Sequence, residues 1–233
     1  MSDMRRLAAL LLLAVGLLAV SATPVACISV PRPSRVPVTL HVMSQCPDAV
    51  HCENVFADVL TQVGRITDIN TEYIGSPSSD PRYEPHGGVR CMHGGGECQG
   101  NIQQLCAHSI YSGFNPNGWF DFVLCQSENI GAIPGNGLEC ANDLDLNMDA
   151  FRNCTEPYGY GGQLLHESVM RTKERGITKS CTVVIDDEIV CVRDGGSWYN
   201  CPNGSTVADF VRQICQRYQG PRLPTVCANI LDA

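Results

Sequence analysis

The sequence has 233 residues, 16 Lys and Arg against 24 Asp and Glu for a formal net charge of −8, and 14 cysteines. That acidic balance, with no basic cluster anywhere, argues against nucleic acid or an anionic membrane surface as partner. So many cysteines point to an oxidising compartment, where most of them pair, so any one cysteine is structural by default.

The N-terminus has the order of a secretory signal peptide: Arg5 and Arg6, an apolar run over 7–20, then Ser21 and Ala22. Residues 1–22 are expected to be removed, with Cys27 a little beyond the cut. The apolar run is shorter than the roughly 20 residues a spanning helix needs. No membrane anchor is expected. The mature chain keeps 14 basic and 23 acidic residues, a net charge of about −9. The sequons Asn153-Cys154-Thr155 and Asn203-Gly204-Ser205 predict glycosylation at Asn153 and Asn203.

Residues 23–37 read as a short lead-in, stiffened by its prolines. A strand is predicted over 38–43 and a helix over 48–63, with Val50, Val55, Val59, Leu60 and Val63 at helical spacing and Gly64 closing it. A second strand over 66–74 completes a βαβ unit, which implies parallel strands. The stretch 75–96 is rich in Pro, Gly and Ser and reads as loop. Helices are predicted over 97–111, 119–127, 143–153 and 162–175, the last ended by Gly176. Strands over 180–185 and 188–192 flank a turn at Asp186-Asp187 and form a hairpin. Ser205 is the expected cap of a closing amphipathic helix whose apolar face carries Val207, Phe210, Val211 and Ile214. The order βαβ, helices, ββα describes an α/β thioredoxin-like sandwich. It forms a single domain over 38–233, with a cysteine-rich, mainly helical insertion at about 76–176.

Cys46 stands where the first strand gives way to the first helix, followed by Pro47, a residue favoured in a first helical turn. A helix N-terminus stabilises negative charge and can lower a thiol's pKa, so Cys46 is the candidate nucleophile for thiol–disulfide exchange. Three places on, where a dithiol enzyme keeps its second thiol, stands Ala49. The next thiol is Cys52. Six helical residues span about 9 Å, beyond the roughly 6.8 Å limit for bridged Cα atoms, which disfavours a Cys46–Cys52 bond. Cys52 is therefore expected to bond to the insertion. His51 is read as a surface histidine rather than a stabiliser of the thiolate.

A second cluster occupies 91–106, CMHGGGECQGNIQQLC. A zinc site of Cys91, His93, Cys98 and Cys106 matches no common spacing, and neither metal nor cofactor is expected. The stretch resembles the signature of the gamma-interferon-inducible lysosomal thiol reductase family, C-Q-H-G-x-x-E-C-x-x-N-x-x-x-x-C. Cys91, His93, Gly94, Glu97, Cys98, Asn101 and Cys106 fill it, and Met92 replaces its glutamine. The resemblance implies a thioredoxin-like fold and reduction of protein disulfides, in that family often at acidic pH in the endolysosomal lumen. Its C-x-x-C site maps the nucleophile onto Cys46 and the second cysteine onto Ala49. The signature residues themselves read as architectural, with His93 in structural hydrogen bonding.

Thioredoxin-like enzymes usually place a cis-proline before the third strand, facing the nucleophile. Here that stretch has no proline, and Cys181 falls at the position. Two roles stay open for Cys181: resolving thiol or resting partner of Cys46, or a hairpin disulfide with Cys191. The expected function is a secretory-pathway thiol–disulfide oxidoreductase, extracellular or in a lysosomal or vacuolar lumen. It would act on disulfide-containing proteins through an atypical CPDA site. Release of substrate falls to a remote cysteine, Cys181 or Cys52, or to a small thiol such as glutathione or free cysteine. The alternative is a non-catalytic, disulfide-stapled binding protein on the same scaffold.

Overall fold

A computed structural model describes residues 35–232; the expected signal peptide, Cys27 and the first part of the lead-in lie outside them. Strand β1 (Val36–Val42) leads into helix α1 (Pro47–Val63), and β2 (Thr67–Tyr73) pairs parallel to β1, completing the βαβ unit. The lead-in ends earlier than expected, because Val36 and Pro37 already pair with Thr67 and Asp68. Two residues each of β3 (Ser76–Pro77) and β4 (Val89–Arg90) form a small separate ladder.

Helices α2 (Gly95–Ile110), α3 (Phe120–Ser127), α4 (Gly137–Asp143), α5 (Met148–Thr155) and α6 (Gly161–Glu174) follow. The chain then returns to the sheet as β5 (Thr182–Ile185), β6 (Glu188–Asp194) and β7 (Ser197–Tyr199), and ends with α7 (Val207–Arg217) and α8 (Thr225–Leu231). The five-stranded sheet runs β2-β1-β5-β6-β7, with β5 antiparallel to β1. This is the thioredoxin-like sandwich.

The pleat of β1 sorts the two layers, since alternate side chains face opposite ways. Val36, Val38, Leu40 and Val42 are buried in the core shared with Phe56 of α1 and Phe210 of α7, whose rings lie 4.9 Å apart. His41 points the other way and bonds Thr172 of α6 at 2.9 Å. Glu72 of β2, paired with Arg171 at 2.7 Å, ties the same helix to the sheet. Helix α6 thus lies inside the segment expected to be insertion, yet it covers one face of the sandwich.

Several element boundaries differ from those predicted. The helix expected over 143–153 starts only at Met148, as α5, because Asp145 takes a left-handed φ of 50° and Asn147 caps α5 by accepting the Ala150 N–H at 3.0 Å; α4, just before it, has no counterpart among the predicted helices. Helix α7 is capped by Thr206 rather than Ser205. Only Thr206 has an acidic residue at the third helical position, Asp209, and the two close a reciprocal capping box. Strand β7 and helix α8 are too short to show a period. The segments over 97–111 and 162–175 are helical with ends shifted by a residue or two.

Helix α2 approaches the strand–helix junction closely. A Cβ on Gly100 would meet Ile133 Cγ2 at 2.3 Å and Ser44 Oγ at 2.7 Å, so a residue without a side chain is required there. One place on, buried Asn101 accepts the Ser44 N–H at 3.0 Å. Gly100→Ala is expected to cost about 1–3 kcal/mol, as overpacking does, read as a lower denaturant midpoint together with slower alkylation of Cys46.

Two buried groups have shifted titrations of opposite sign. Burial pushes the Glu53 carboxyl of α1 up to about 7 against a 2.5 Å hydrogen bond from Ser127. Burial also pulls His41 down to about 4, helped by the charge of Arg175. The fold favours protonated Glu53, so its contribution is complete below about 4.5 and lost as pH rises to about 7. The fold favours neutral His41, so its contribution is complete above about 6.5 and lost as pH falls to about 4. Relative to wild type, Glu53→Gln is therefore expected to gain stability as pH rises across the first window. His41→Asn should gain as pH falls across the second. Urea midpoints at several pH values check both; parallel curves would refute them.

Candidate active site

Cys46 is the N-cap residue of α1, with extended backbone (φ −95°, ψ 126°) and Pro47 at the first helical position. Its carbonyl accepts the Val50 N–H at 3.2 Å, leaving first-turn amides without helical partners at the end where the sulfur sits. Four contacts hold the short approach to it. The Cys46 N–H reaches Met43 O at 2.9 Å, the Met43 N–H reaches Ser180 Oγ at 3.1 Å, Asn101 holds Ser44, and Gln45 Nε2 donates to Ile133 O at 2.8 Å. Cys46 is half-exposed, and among the described residues it is the one cysteine outside a disulfide.

Facing it is the residue pair that leads into β5. The Ser180–Cys181 peptide is cis, and Ser180 O lies 3.9 Å from Cys46 Sγ. Cys181 is bonded to Cys52, with Cα atoms 6.3 Å apart and both side chains fully buried. Neither of the two is therefore a resting partner of Cys46. The expected bond from Cys52 to the insertion is replaced by this one. Each residue along a helix turns about 100°, so Cys52 reaches the approach to β5 while its neighbour Glu53 meets Ser127 of α3. The alternative Cys181–Cys191 bridge is also replaced: Cys191 bonds Cys201. Ala49 is buried at 1 % exposure, where a second active-site thiol would be shielded from solvent.

The signature residues brace the site rather than enter it. Cys91 and Cys98 bond each other, and Cys106 bonds Cys154, fastening α2 to α5. Gly94 caps α2 with φ 94°, a conformation closed to most side chains. Glu97, fully buried in the first turn of α2, pairs with His93 Nδ1, and its backbone carbonyl accepts the Ser44 hydroxyl at 3.2 Å. Cys125–Cys140 and Cys215–Cys227 complete the disulfides of the described residues.

Several positioning residues went unnoticed in the sequence. Ser180, Gln45 and Gly100 carry no motif signal by themselves, though Gly100 lies inside the signature. Asp48, in the first turn of α1, pairs with Arg193 of β6 at 3.1 Å and accepts the Gly196 N–H at 3.1 Å. That pair locks the helix start to the β6–β7 hairpin. His51 is exposed and lies against Trp198, centroids 5.9 Å apart. Burial first, then the charge of Arg193, lowers its pKa, opposed by Asp48. It sits about 140° around the helix from Cys46. Both sequon asparagines, Asn153 and Asn203, are exposed.

A cleft of about 310 Å³ opens beside the junction, lined by Met43, Ile74, Gly75, Arg90, Cys91 and Met92. Met92, which replaces the signature's glutamine, is 72 % exposed at its rim. A larger cleft, about 950 Å³ beside Leu60, Gly64 and Phe114, lies at the other end of α1, about 25 Å from Cys46.

Residues 37–144 match the model of a family described as gamma interferon inducible lysosomal thiol reductase. No curated protein matches the chain. Among solved structures, a candidate protein disulfide isomerase from Nitrosomonas europaea is similar at 12 % identity and TM-score 0.51. The match covers 78 % of this chain and 97 % of that one. The thiol-disulfide exchange protein alpha-DsbA2 from Wolbachia pipientis is similar at 12 % identity and TM-score 0.49, with 78 % and 82 % covered. MdbA, a thiol-disulfide oxidoreductase from Corynebacterium diphtheriae, is similar at 9 % identity and TM-score 0.49, with 78 % and 84 % covered. The first of these carries the fold alone; the family match supports thiol–disulfide oxidoreductase chemistry in general. The matched segment, 37–144, holds Cys46 and every residue of the signature.

Proposed function

We propose that the protein is a thiol–disulfide oxidoreductase that reduces or exchanges disulfides of protein substrates through Cys46. One observation carries this reading: a free, half-exposed thiol caps the first helix of a thioredoxin-like sandwich, with Ala49 three places on. The Cys46 thiolate attacks one sulfur of a substrate disulfide, forming a mixed disulfide and releasing the other sulfur as thiolate. A dithiol site would now use its second cysteine, and Ala49 has no sulfur to offer. A small thiol such as glutathione or free cysteine then attacks the mixed disulfide, returning Cys46 and carrying the substrate sulfur onward. Turnover follows the supply of that small thiol.

A secretory or endolysosomal location fits this chemistry. Twelve of the described cysteines lie in disulfides, two sequon asparagines are exposed, and no described helix is long and apolar enough to cross a membrane. The buried position of Ala49 favours one rival, a scaffold that binds without turning over.

Cys46→Ser is expected to lower disulfide reduction to the rate of the protein-free reaction, while wild-type turnover rises with added glutathione. With the Cys52–Cys181 disulfide closed, Ala49→Cys is expected to release substrate without added thiol, which wild type in that state does not do. Reduction of a fluorogenic disulfide peptide reads all three. Undiminished activity in Cys46→Ser refutes the assignment, and a Cys46 that never forms a mixed disulfide favours the binding scaffold.

A further inference from the structure

The Cys52–Cys181 disulfide is buried, and the free thiol of Cys46 lies against the residue that precedes Cys181. Both its side chains are fully buried, so a thiol in solution has no direct approach. Cys46 is half-exposed, and its sulfur lies 3.9 Å from the carbonyl of Ser180, the residue bonded to Cys181. Cys52 is on the same helix that Cys46 caps. A half-exposed thiol thus lies next to the approach to a fully buried pair.

We propose that Cys46, Cys181 and Cys52 form a relay in which the buried pair holds two electrons and Cys46 is their sole port. This rests on Cys46 being the nucleophile, as assigned above, and supplies the resolving step that Ala49 cannot. In the reduced protein, Cys46 thiolate attacks a substrate disulfide and one substrate thiolate leaves. Cys181 thiolate then attacks the Cys46 sulfur, the second substrate thiolate leaves, and a Cys46–Cys181 bond forms. Cys52 thiolate attacks Cys181, forming the Cys52–Cys181 bond and freeing Cys46 thiolate.

One substrate disulfide becomes two thiols, and two protein thiols become one disulfide. The described structure is the end of that sequence: port open, pair oxidised. Reloading runs the steps backwards. Two small-thiol molecules reduce the pair by way of Cys46 and leave as one small-molecule disulfide. The internal exchange makes one thiolate for each it consumes, so it needs neither oxidant nor proton.

Reduction of the native protein by glutathione, with acid quenching, alkylation and peptide mapping at intervals, tests the relay. In wild type, Cys52 and Cys181 are expected to become alkylatable while the other five disulfides stay closed. In Cys46→Ser, opening should be slower by roughly tenfold or more, because an intramolecular attack is replaced by one from solution. Equal rates in the two proteins, or opening no earlier than the other disulfides, overturn the proposal.

A single-turnover arm separates this outcome from failure of the catalytic assignment. Pre-reduced, thiol-free wild type is expected to release both halves of a model disulfide peptide, about one per protein, whereas Cys181→Ala retains one half on Cys46. A wild type that also retains it sinks the relay and leaves Cys46 as a one-thiol nucleophile. A wild type that forms no mixed disulfide sinks both.

Discussion

The bond between Cys52 and Cys181 ties the middle of α1 to the residue that leads into β5, across a sequence separation of 129. Closing so long a loop removes unfolded-state freedom worth on the order of 4–5 kcal/mol in the chain-entropy picture. Its local consequence is larger for the chemistry. The helix that carries Cys46 and the strand approach that carries Ser180 become one covalent unit, so the thiol and the carbonyl facing it share a frame. Asp48 with Arg193 fastens the helix start to the next hairpin, and Ser180 Oγ holds the Met43 amide. Site geometry here is a property of that frame, with the loops as passengers.

The long segment between β2 and β5 supplies the other half of the frame. Its signature is dense in residues that catalytic proteins often use, yet their contacts are those of a brace. Cys91, Cys98 and Cys106 are bonded, Glu97 is buried against His93, and Asn101 and the Glu97 carbonyl hold Ser44 two residues before Cys46. Gly100 lets the α2 backbone come close enough for those bonds. A spacing pattern over 91–106 is thus a specification of how near one helix stands to another's cap. The cleft by Met43 and Met92 lies along the same seam, with Arg90 and Ser76 also in its lining.

Burial of charge-bearing groups marks both layers. Glu53 and His41 lie on opposite sides of the sheet and favour their neutral forms, so each layer resists ionisation from a different end of the pH scale.

Much of this was legible locally. The strand–helix–strand opening shows in the period of Val50, Val55, Val59 and Val63 and in Gly64. Cys46 shows in its place before Pro47, and the brace shows in the fixed spacing from Cys91 to Cys106. These are patterns within one or two turns of chain, where sequence distance and spatial distance agree. The capping of α7 was legible too, in the reach from Thr206 to Asp209, but Ser205 competed for it. Fourteen cysteines, by contrast, permit many pairings, and composition ranks none of them. That Cys52 bonds Cys181 rather than the insertion follows from the 100° step that turns it towards β5, and from a sheet order that sets β5 beside β1. Contacts of that range exist only once the sheet has closed, which is why tertiary structure alone decided which of the described sulfurs stayed free and which two bond across α1 and β5.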